Sequence, residues 1–284
     1  MGTYYTPFDA RRDATGRLYE YQCPSAALIL CNGHMQDGCN GQMQDGCKLV
    51  GVRITPAQME KVKAVLRLFE GPHDFHNFTA DKCSDEGASE TMRFVSSFTC
   101  VGVRVSPTTG VEYVALQVLG DSFIYHQIRK MVGLAIFALR YVDDKSRLDF
   151  VKGVLECKSQ RYVPLAPSLG LMLERVLFQK ENKTHGCHTV LLDFEEVSQK
   201  MRVFKSTRIY AEIDSREASL APTEGSFSVE HWLKFLHRTR NVWGKPFAQH
   251  APAPGLKCRP GSASSDLDFL FQHSRSNSTG GCLG

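Results

Sequence analysis

Apolar and polar positions in the first 30 residues of the chain predict a strand. The string ATGRLYEYQCPSAALIL, residues 14–30, alternates aromatic and polar side chains around Tyr19 and Tyr21 and then becomes apolar. A two-residue period is typical of a strand with one buried face, and the apolar continuation favours a strand that runs into the body of the fold.

A helix is predicted over residues 55–71, TPAQMEKVKAVLRLFEG, because apolar side chains recur there every three or four positions. Thr55 is placed as the N-cap, Pro56 at the first helical position and Gly71 at the end of the helix. The residues expected on its buried face are Met59, Val62, Leu66 and Phe69.

The next elements complete the expected fold. Two strand-like runs, residues 93–105 and 111–120, flank the turn sequence SPTTG and predict an antiparallel hairpin. A second helix is predicted to begin within SFIYHQIRKMVG, residues 122–133, with Phe123 as the first residue of its buried apolar face. A shorter helix is predicted around Val151. The apolar run LGLMLERVLF, residues 169–178, predicts a central strand. This order indicates an α+β fold around a largely antiparallel mixed sheet with helices on one face.

Beyond residue 180 the pattern loosens. Helices are predicted over residues 193–205 and 228–239, the second capped by Ser228. The side chains expected to point inward from the second helix are Trp232, Leu233 and Leu236. We expect residues 181–241 to form a helical extension on the main domain. Residues 242–284 are rich in Pro, Gly and Ser and are predicted to be a flexible tail.

A tandem duplication, NGHMQDGC followed by NGQMQDGC, occupies residues 32–47 and predicts a surface loop. It places Cys39 and Cys47 eight residues apart with His34 nearby, which raises the possibility of a zinc site. Structural zinc sites usually use cysteines two to four residues apart, so the spacing favours an expanded loop. The HGCH string at 185–188 lacks a second cluster of suitable spacing, and we expect no metal.

Composition sets limits on the class of protein. The 284 residues are 42% apolar and 23% charged, enough for a sizeable core, and the ten cysteines are scattered as reduced thiols would be. No stretch approaches the roughly 18 apolar residues of a membrane span, and the first residues lack the apolar core of a secretory signal. We therefore expect an intracellular protein with no membrane partner. A net charge of +4 permits an anionic partner without requiring one.

Four ordered motifs resemble those of one enzyme family. They are Arg-x-Tyr-x-Tyr at 17–21, GPHDFHNFT at 71–79, GDSFIYHQIRKMVG at 120–133 and APSLGLMLERVLF at 166–178. They are similar to R-T-Y-x-Y, G-T-H-N-F-H-N-F-T, G-Q-S-F-x-x-H-Q-I-R-K-M-V-G and A-P-G-L-G-L-x-L-E-R-V of the TruA-type tRNA pseudouridine synthases, most closely of the eukaryotic branch. The resemblance runs from about Phe8 to Phe178 and weakly on to about residue 240.

The resemblance implies a pseudouridine synthase-like catalytic domain over residues 1–180. It implies an isomerase that converts uridine to pseudouridine in tRNA and needs no cofactor. It also points to the nucleus or the mitochondrion as the compartment. A homo-oligomer is compatible with the sequence, but no pattern in the sequence supports one.

Residue types and motif positions together indicate candidate residues for a catalytic and RNA-binding site. A cation set among apolar residues needs an anion, and the family arginine that matches Arg129 holds the nucleophilic aspartate in an ion pair. The family tyrosine that matches Tyr19 stacks on the flipped-out base and is placed to help with its proton transfer. Candidates for RNA contacts are His76, Asn77, His126 and Lys130. Candidates for the apolar lining of the substrate pocket are Leu169 and Leu171.

Simpler roles compete with several of these assignments. Arg129 and Lys130 can be solvated cations, Tyr19 an ordinary strand aromatic and His126 a structural histidine. Phe75 and Phe78 fit a hydrophobic core better than base stacking. Ser168 stands where the family motif has a glycine, which can alter a tight turn.

The family's aspartate belongs to an R-T-D-x-G-V-H-A motif, and no such string occurs in these 284 residues. Asp9 and Asp13 are poor substitutes, because the alignment places them just before the Arg-x-Tyr strand. The sequence leaves open a truncated synthase, predicted to be inactive as it stands, or a family member that has lost catalysis. A non-catalytic RNA-binding remnant and a protein-interaction module built around Trp232 are the alternative functions.

Overall fold

The computed structural model of the chain describes residues 9–29, 51–79, 88–178 and 194–219, together with Trp232, Phe235, Leu236, Arg238 and Thr239. The duplicated loop, the HGCH string, the tail and both predicted domain boundaries lie outside these residues. Three cysteines within them, Cys23, Cys100 and Cys157, are free thiols. None of the described helices is long and apolar enough to cross a membrane.

Five strands form one sheet in the order β2-β3-β4-β1-β5, and every pairing is antiparallel. The strands are β1 (Gly16–Pro24), β2 (Gly71–Asp74), β3 (Met92–Val105), β4 (Glu112–Gly120) and β5 (Leu171–Leu177). The described helices are α1 (Ser25–Leu28), α2 (Pro56–Leu66), α3 (Ala88–Thr91), α4 (Gln127–Tyr141), α5 (Arg147–Leu155), α6 (Ser198–Phe204) and α7 (Tyr210–Ser219). This architecture confirms the predicted α+β class.

Helix α2 forms where the sequence predicts it. The Thr55 hydroxyl accepts from the backbone N–H of Gln58, and the Gln58 side chain accepts from the backbone N–H of Thr55, so a capping box satisfies two free donors. Pro56 occupies the first turn, where its missing N–H costs nothing. Val62 and Leu66 are fully buried against the sheet.

One face of the sheet carries the hydrophobic core. Side chains alternate along β1, so Tyr21 and Cys23 share this face and both are buried. Helices α2 and α4 cover the face, and α4 contributes an almost continuous buried stretch from Met131 to Leu139. Trp232 is fully buried, with its ring edge-on to Tyr21 at a centroid distance of 6.2 Å. Its ring therefore offers no surface to the interaction module proposed as an alternative.

The opposite face carries a buried polar layer. Glu20 is 1% exposed and its carboxylate accepts from Lys205 (2.9 Å), Tyr210 and Gln117 (3.1 Å). Burial alone raises the pKa of Glu20, but these hydrogen bonds outweigh it and hold the pKa below its ordinary value. The Lys205 ammonium also donates to Glu174 at 2.8 Å. Because Lys205 and Tyr210 belong to the segment that contains α6 and α7, this layer docks that segment on the sheet.

The structure departs from the sequence predictions at several places. Ser25–Leu28 form a short helix, α1, where the first strand was expected to continue. Helices lie on both faces of the sheet and not on one face, because the segment of Lys205 and Tyr210 covers the polar layer opposite α2 and α4. Gly71 begins strand β2 and does not end the helix α2.

β5 is an edge strand of the sheet and not a central one. α4 begins at Gln127, so Phe123 precedes the helix instead of lying on its buried face. Strand β2 was not predicted. The helical segment that begins near residue 195 does not stop at Lys205 but continues through a π-helical turn, Lys205–Ile209, into α7.

Candidate functional site

Tyr19 lies on β1 beside the loop that leads into α4. Its half-buried ring meets the ring of Phe123 edge-on, with centroids 5.5 Å apart and planes at 89°. Arg17, two residues earlier, donates from Nη1 to the backbone oxygen of Asp121 at 2.7 Å. These two contacts attach the loop to β1, so the motif at 17–21 adjoins the first residues of the motif at 120–133.

The turn into α4 has an unusual backbone. His126 has φ of 70°, the left-handed region that non-glycine residues seldom adopt. The Gln127 side chain accepts from the backbone N–H of Ile124 at 2.9 Å, and the Gln127 backbone N–H donates to the Ile124 oxygen at 3.1 Å. The rings of Tyr125 and His126 stack with centroids 3.9 Å apart and an interplanar angle of 25°. The turn therefore presents two stacked rings at the start of α4.

Arg129 sits one turn into α4 and is half-buried. Its Nε donates to the backbone oxygen of Ala166 at 2.7 Å, and the Ala166 N–H donates to the Arg129 backbone oxygen at 3.2 Å. Burial lowers the pKa of the guanidinium, although the nearby hydroxyls of Tyr21 and Tyr125 oppose that shift. Within the part of the chain that the structure describes, no carboxylate forms an ion pair with Arg129.

Residues 164–170, which include the Ala166 oxygen that accepts from Arg129, are held in place by contacts with β1 and α4. Tyr21 donates its hydroxyl to the Pro167 oxygen at 2.7 Å, and burial holds the pKa of that hydroxyl well above its ordinary value. Gly133 lets the segment touch α4, because a Cβ there would lie 2.0 Å from the Pro164 oxygen. Gly170 has φ of 100° and its oxygen accepts from the Gln22 N–H at 3.0 Å. The segment therefore has a defined position relative to both α4 and β1.

Leu169 and Leu171, predicted to line the substrate pocket, are among the residues around one cavity. An open cavity of about 370 Å³ lies between residues 168–172 and the helical residues 208–216. Its lining is largely apolar but includes the charged residues Arg208, Glu212 and Arg216. Tyr19 and Arg129 are not among its lining residues. Whether this cavity receives substrate stays a prediction.

Lys130 lies against the segment of His76 and Asn77. The Lys130 ammonium donates to the backbone oxygens of Asn77 (3.2 Å) and Thr79. His76 lies with Nδ1 3.2 Å from a carboxylate oxygen of Asp74. The predicted RNA contacts of these residues and of His126 stay predictions.

Asn77 has an evident structural role. It is 3% exposed, and its amide donates to the backbone oxygens of Cys157 and Ser159, both at 3.3 Å. Its side-chain oxygen accepts from the Arg161 N–H at 2.6 Å. All these contacts are internal and join the 71–79 motif to the segment after α5. The neighbouring Phe75 and Phe78 are fully buried, as expected of core residues.

The family motif assigns no role to Tyr125, although its hydroxyl lies close enough to the Arg129 guanidinium for the two groups to interact electrostatically. The signal available in the sequence is the second aromatic residue of SFIYH, which does not belong to the apolar face predicted for the helix. No cluster of three or more His, Cys, Asp or Glu side chains suited to a metal ion occurs among the described residues.

We expect Arg129→Met to change the free energy of unfolding by about 1 kcal/mol or less. The hydrogen bond to Ala166 is lost, but an unpaired charge is also removed from a half-buried position and replaced by apolar surface. Urea midpoints at unchanged slope measure the effect.

Arg140→Met on the same helix is the matched control. Arg140 is 9% exposed, and its Nη1 donates to the oxygens of Ala26 (2.6 Å) and Ile29 (2.9 Å). Leaving those oxygens buried should cost roughly 2–3 kcal/mol. A loss at Arg129 as large as that at Arg140 would mean that Arg129 has a further buried partner besides the Ala166 oxygen.

Comparisons with known proteins agree with the motifs. A sequence profile described as "tRNA pseudouridine synthase" matches residues 65–179. "Pseudouridylate synthase 1 homolog" of Mus musculus is 31% identical over 231 residues, which are 81% of this chain and 48% of that protein. Its Homo sapiens counterpart is 30% identical over 232 residues, with the same coverage. "tRNA pseudouridine synthase 1" of Yarrowia lipolytica is 32% identical over 172 residues, 58% of this chain and 30% of that protein. The chain spans about half the length, or less, of these relatives.

Proposed function

Because the chain belongs to the TruA-type tRNA pseudouridine synthase family, in its eukaryotic branch, we propose that it supplies the arginine and tyrosine side of a site that isomerises uridine in tRNA. The names of the relatives support an isomerase, and the substrate we propose is tRNA. We place the activity inside the cell, in the nucleus or the mitochondrion, as the resemblance to eukaryotic synthases implies.

One observation carries this proposal. Arg129 is half-buried and directed at Ala166, and it forms no ion pair with a carboxylate in residues 9–29, 51–79, 88–178 or 194–219. A desolvated guanidinium has a strong preference for a planar carboxylate, which it can bind through two parallel N–H groups. The family's nucleophile is such a carboxylate. Arg129 therefore fits the role of the arginine that orients the nucleophile. It matches that arginine by motif, and no carboxylate among the described residues neutralises its charge.

Tyr19 is the second residue to which the proposal gives a role, which is to stack on the target uracil. Its ring stands against Phe123, on the loop that leads into the helix of Arg129, which agrees with a tyrosine that stacks on an extruded uracil. Base extrusion costs roughly a few kcal/mol, and an aromatic platform returns part of that cost. Arg17 supports this arrangement indirectly, because its bond to Asp121 holds the loop that carries Phe123.

The nucleophile itself has no counterpart among these residues. The string R-T-D-x-G-V-H-A does not occur in the 284 residues, and Asp9 and Asp13 precede β1, where Asp9 is bonded to the N–H groups of Arg11 and Arg12. This favours, as the second candidate function, an RNA-binding chain without catalysis. Both candidates predict tRNA binding and differ in whether a nucleophile is available.

We expect a purified polypeptide of these 284 residues to bind tRNA and to make no pseudouridine. Binding should weaken steeply with salt because it rests on phosphate contacts, and product should be absent because the covalent route needs the aspartate. Anisotropy of a labelled tRNA transcript at two salt concentrations measures the first, and release of tritium from 5-tritiated uridine measures the second.

The two readouts separate the possible failures. Absence of tRNA binding would overturn the proposed function in both of its forms. Release of tritium by the polypeptide, prepared free of host synthases, would show that it contains a nucleophile that the motif comparison does not identify. A bound fraction that does not respond to salt would argue against phosphate recognition.

A further inference from the structure

We propose that Tyr125 is a stacking platform for an unpaired base of the bound RNA, next to the position of the target uridine. The inference rests on the proposed function and extends it to a residue for which neither the family motif nor the comparisons provide a role. It concerns binding and positioning, not the bond rearrangement.

The first support is the exposure of Tyr125. At 66% it is the most exposed large apolar or aromatic side chain among the described residues. The other exposed aromatics, Phe94, Tyr162 and Phe204, reach 47%, 48% and 59%. A single exposed apolar residue is ordinary on a protein surface. An exposed aromatic ring at the edge of a binding site differs, because a bound ligand can cover it and so remove its apolar area from water.

The second support is the way the ring is held. Neighbouring side chains normally diverge, yet the rings of Tyr125 and His126 lie parallel within 25° and 3.9 Å apart. The left-handed backbone of His126 makes this possible, and such strain persists only where the surroundings enforce it. The paired hydrogen bonds between Ile124 and Gln127 close the turn. One face of Tyr125 is thus covered by His126, and the opposite face is available.

The third support is the charge around the ring. The guanidinium of Arg129 is close enough to the Tyr125 hydroxyl for the two groups to influence each other electrostatically. Arg17 reaches the same loop through its bond to the Asp121 oxygen. The Asp121 carboxylate, the acid of this loop, accepts from the Ser122 N–H at 2.6 Å. Aromatic rings beside arginines are the combination that binds unpaired nucleotides, by stacking and by phosphate attraction together.

The geometry distinguishes this platform from Tyr19. Tyr19 meets Phe123 edge-on, while Tyr125 lies two residues further along the same loop and has its own stacking partner. Two aromatic rings, Tyr19 on β1 and Tyr125 on the loop attached to β1, can stack on two successive bases, the target and a neighbour. Tyr125 would then contribute to the choice of which unpaired stretch of tRNA is bound.

The test compares binding of a labelled tRNA transcript by the parent chain and by Tyr125→Phe, Tyr125→Ala and Phe204→Ala at one fixed low salt concentration. Loss of a stacked ring should weaken binding about 5-fold to 100-fold. We expect that loss for Tyr125→Ala only, since Phe keeps the ring. Phe204 is comparably exposed but lies on α6, across the sheet, and is the matched control. A blunt RNA duplex, which offers no unpaired base, should bind the parent and Tyr125→Ala equally.

Each other result overturns the inference. If the parent binds tRNA and Tyr125→Ala binds equally well, the platform is absent while the proposed function stands. If Tyr125→Phe loses as much as Tyr125→Ala, the hydroxyl and not the ring makes the contact. If Tyr125→Ala instead converts a dimer to a monomer in sedimentation, the ring packs against a second copy. If the parent binds no tRNA, the proposed function fails and this inference with it.

Discussion

Gly133→Ala should destabilise the protein by about 2 kcal/mol or more, although alanine is the better helix former. In an exposed helix the exchange would gain up to about 1 kcal/mol. Here the added Cβ would lie 2.0 Å from the Pro164 oxygen and 2.8 Å from its carbonyl carbon. Both are backbone atoms, so no side-chain rotation relieves the contact and either α4 or the 163–167 segment must move.

The movement would also disturb the site. Ala166, two residues beyond Pro164, both accepts from the Arg129 side chain and donates to the Arg129 backbone. We therefore expect the variant to lose stability and tRNA affinity together. Urea midpoints and anisotropy with labelled tRNA measure the two effects.

Gly102→Ala is the matched control for this prediction. A Cβ at Gly102, in β3, would meet nothing within 4 Å. The same chemical change there should be neutral or stabilise by a few tenths of a kcal/mol, because it restricts the unfolded chain. Equal stability of the two variants would contradict the close approach of the 163–167 segment to α4.

Local patterns were sufficient for most of the fold. The capping residues of α2, the β3–β4 hairpin and the apolar run of β5 all depend on neighbours within a few positions, and the strands and helices appear where those patterns predict them. The short strand β2 has four residues, GPHD, whose strand character depends on its pairing with β3 and not on its own composition. Such an element is not visible in a local pattern.

The polar layer shows the same limit more clearly. Glu20 and Gln22 alternate with Tyr19 and Tyr21, and that alternation indicates a solvated face opposite the core. Both are in fact 1% exposed, because Lys205 and Tyr210, about 185 residues later, cover them. Periodicity identifies which residues share a face but not which distant element covers that face.

The candidate site, like the fold, could be predicted from the sequence only in part. Motif order indicated Tyr19 and Arg129, and the structure places Tyr19 against the loop before α4 and Arg129 in the first turn of α4. The internal bonds of Asn77 and the outward stack of Tyr125 depend on backbone placement after α5 and on one left-handed residue. Neither is encoded in a short string, so neither could be separated from its neighbours in sequence.

The second large effect concerns the helical segment that covers the polar layer, and we expect Arg104→Met to cost roughly 3–5 kcal/mol. Arg104 on β3 binds Asp214 on α7 through two bonds, at 2.9 and 3.0 Å, and its Nε donates to the Gln22 side chain at 2.8 Å. Asp214 is 2% exposed. Removing the guanidinium leaves a carboxylate buried without its partner, which costs far more than the pair contributes.

Aromatic rings add to this contact. The guanidinium carbon lies 4.6 Å from the ring centre of Tyr113 and 4.4 Å from that of Tyr210, so the cation interacts with a ring of the sheet and a ring of α7. Arg104→Lys should therefore recover only part of the loss, since an ammonium cannot make the two parallel bonds to Asp214.

Two further variants determine the cause of the loss. Arg216→Met removes an exposed partner of Glu212 within α7, and should change stability by no more than about 0.5 kcal/mol. The double variant Arg104→Met with Asp214→Leu removes both buried charges and should regain most of the stability lost by Arg104→Met alone. If the double variant is as unstable as the single one, the loss comes from the rings and Gln22 instead of the stranded carboxylate. If Arg104→Met costs no more than Arg216→Met, the pair does not hold α7 against the sheet.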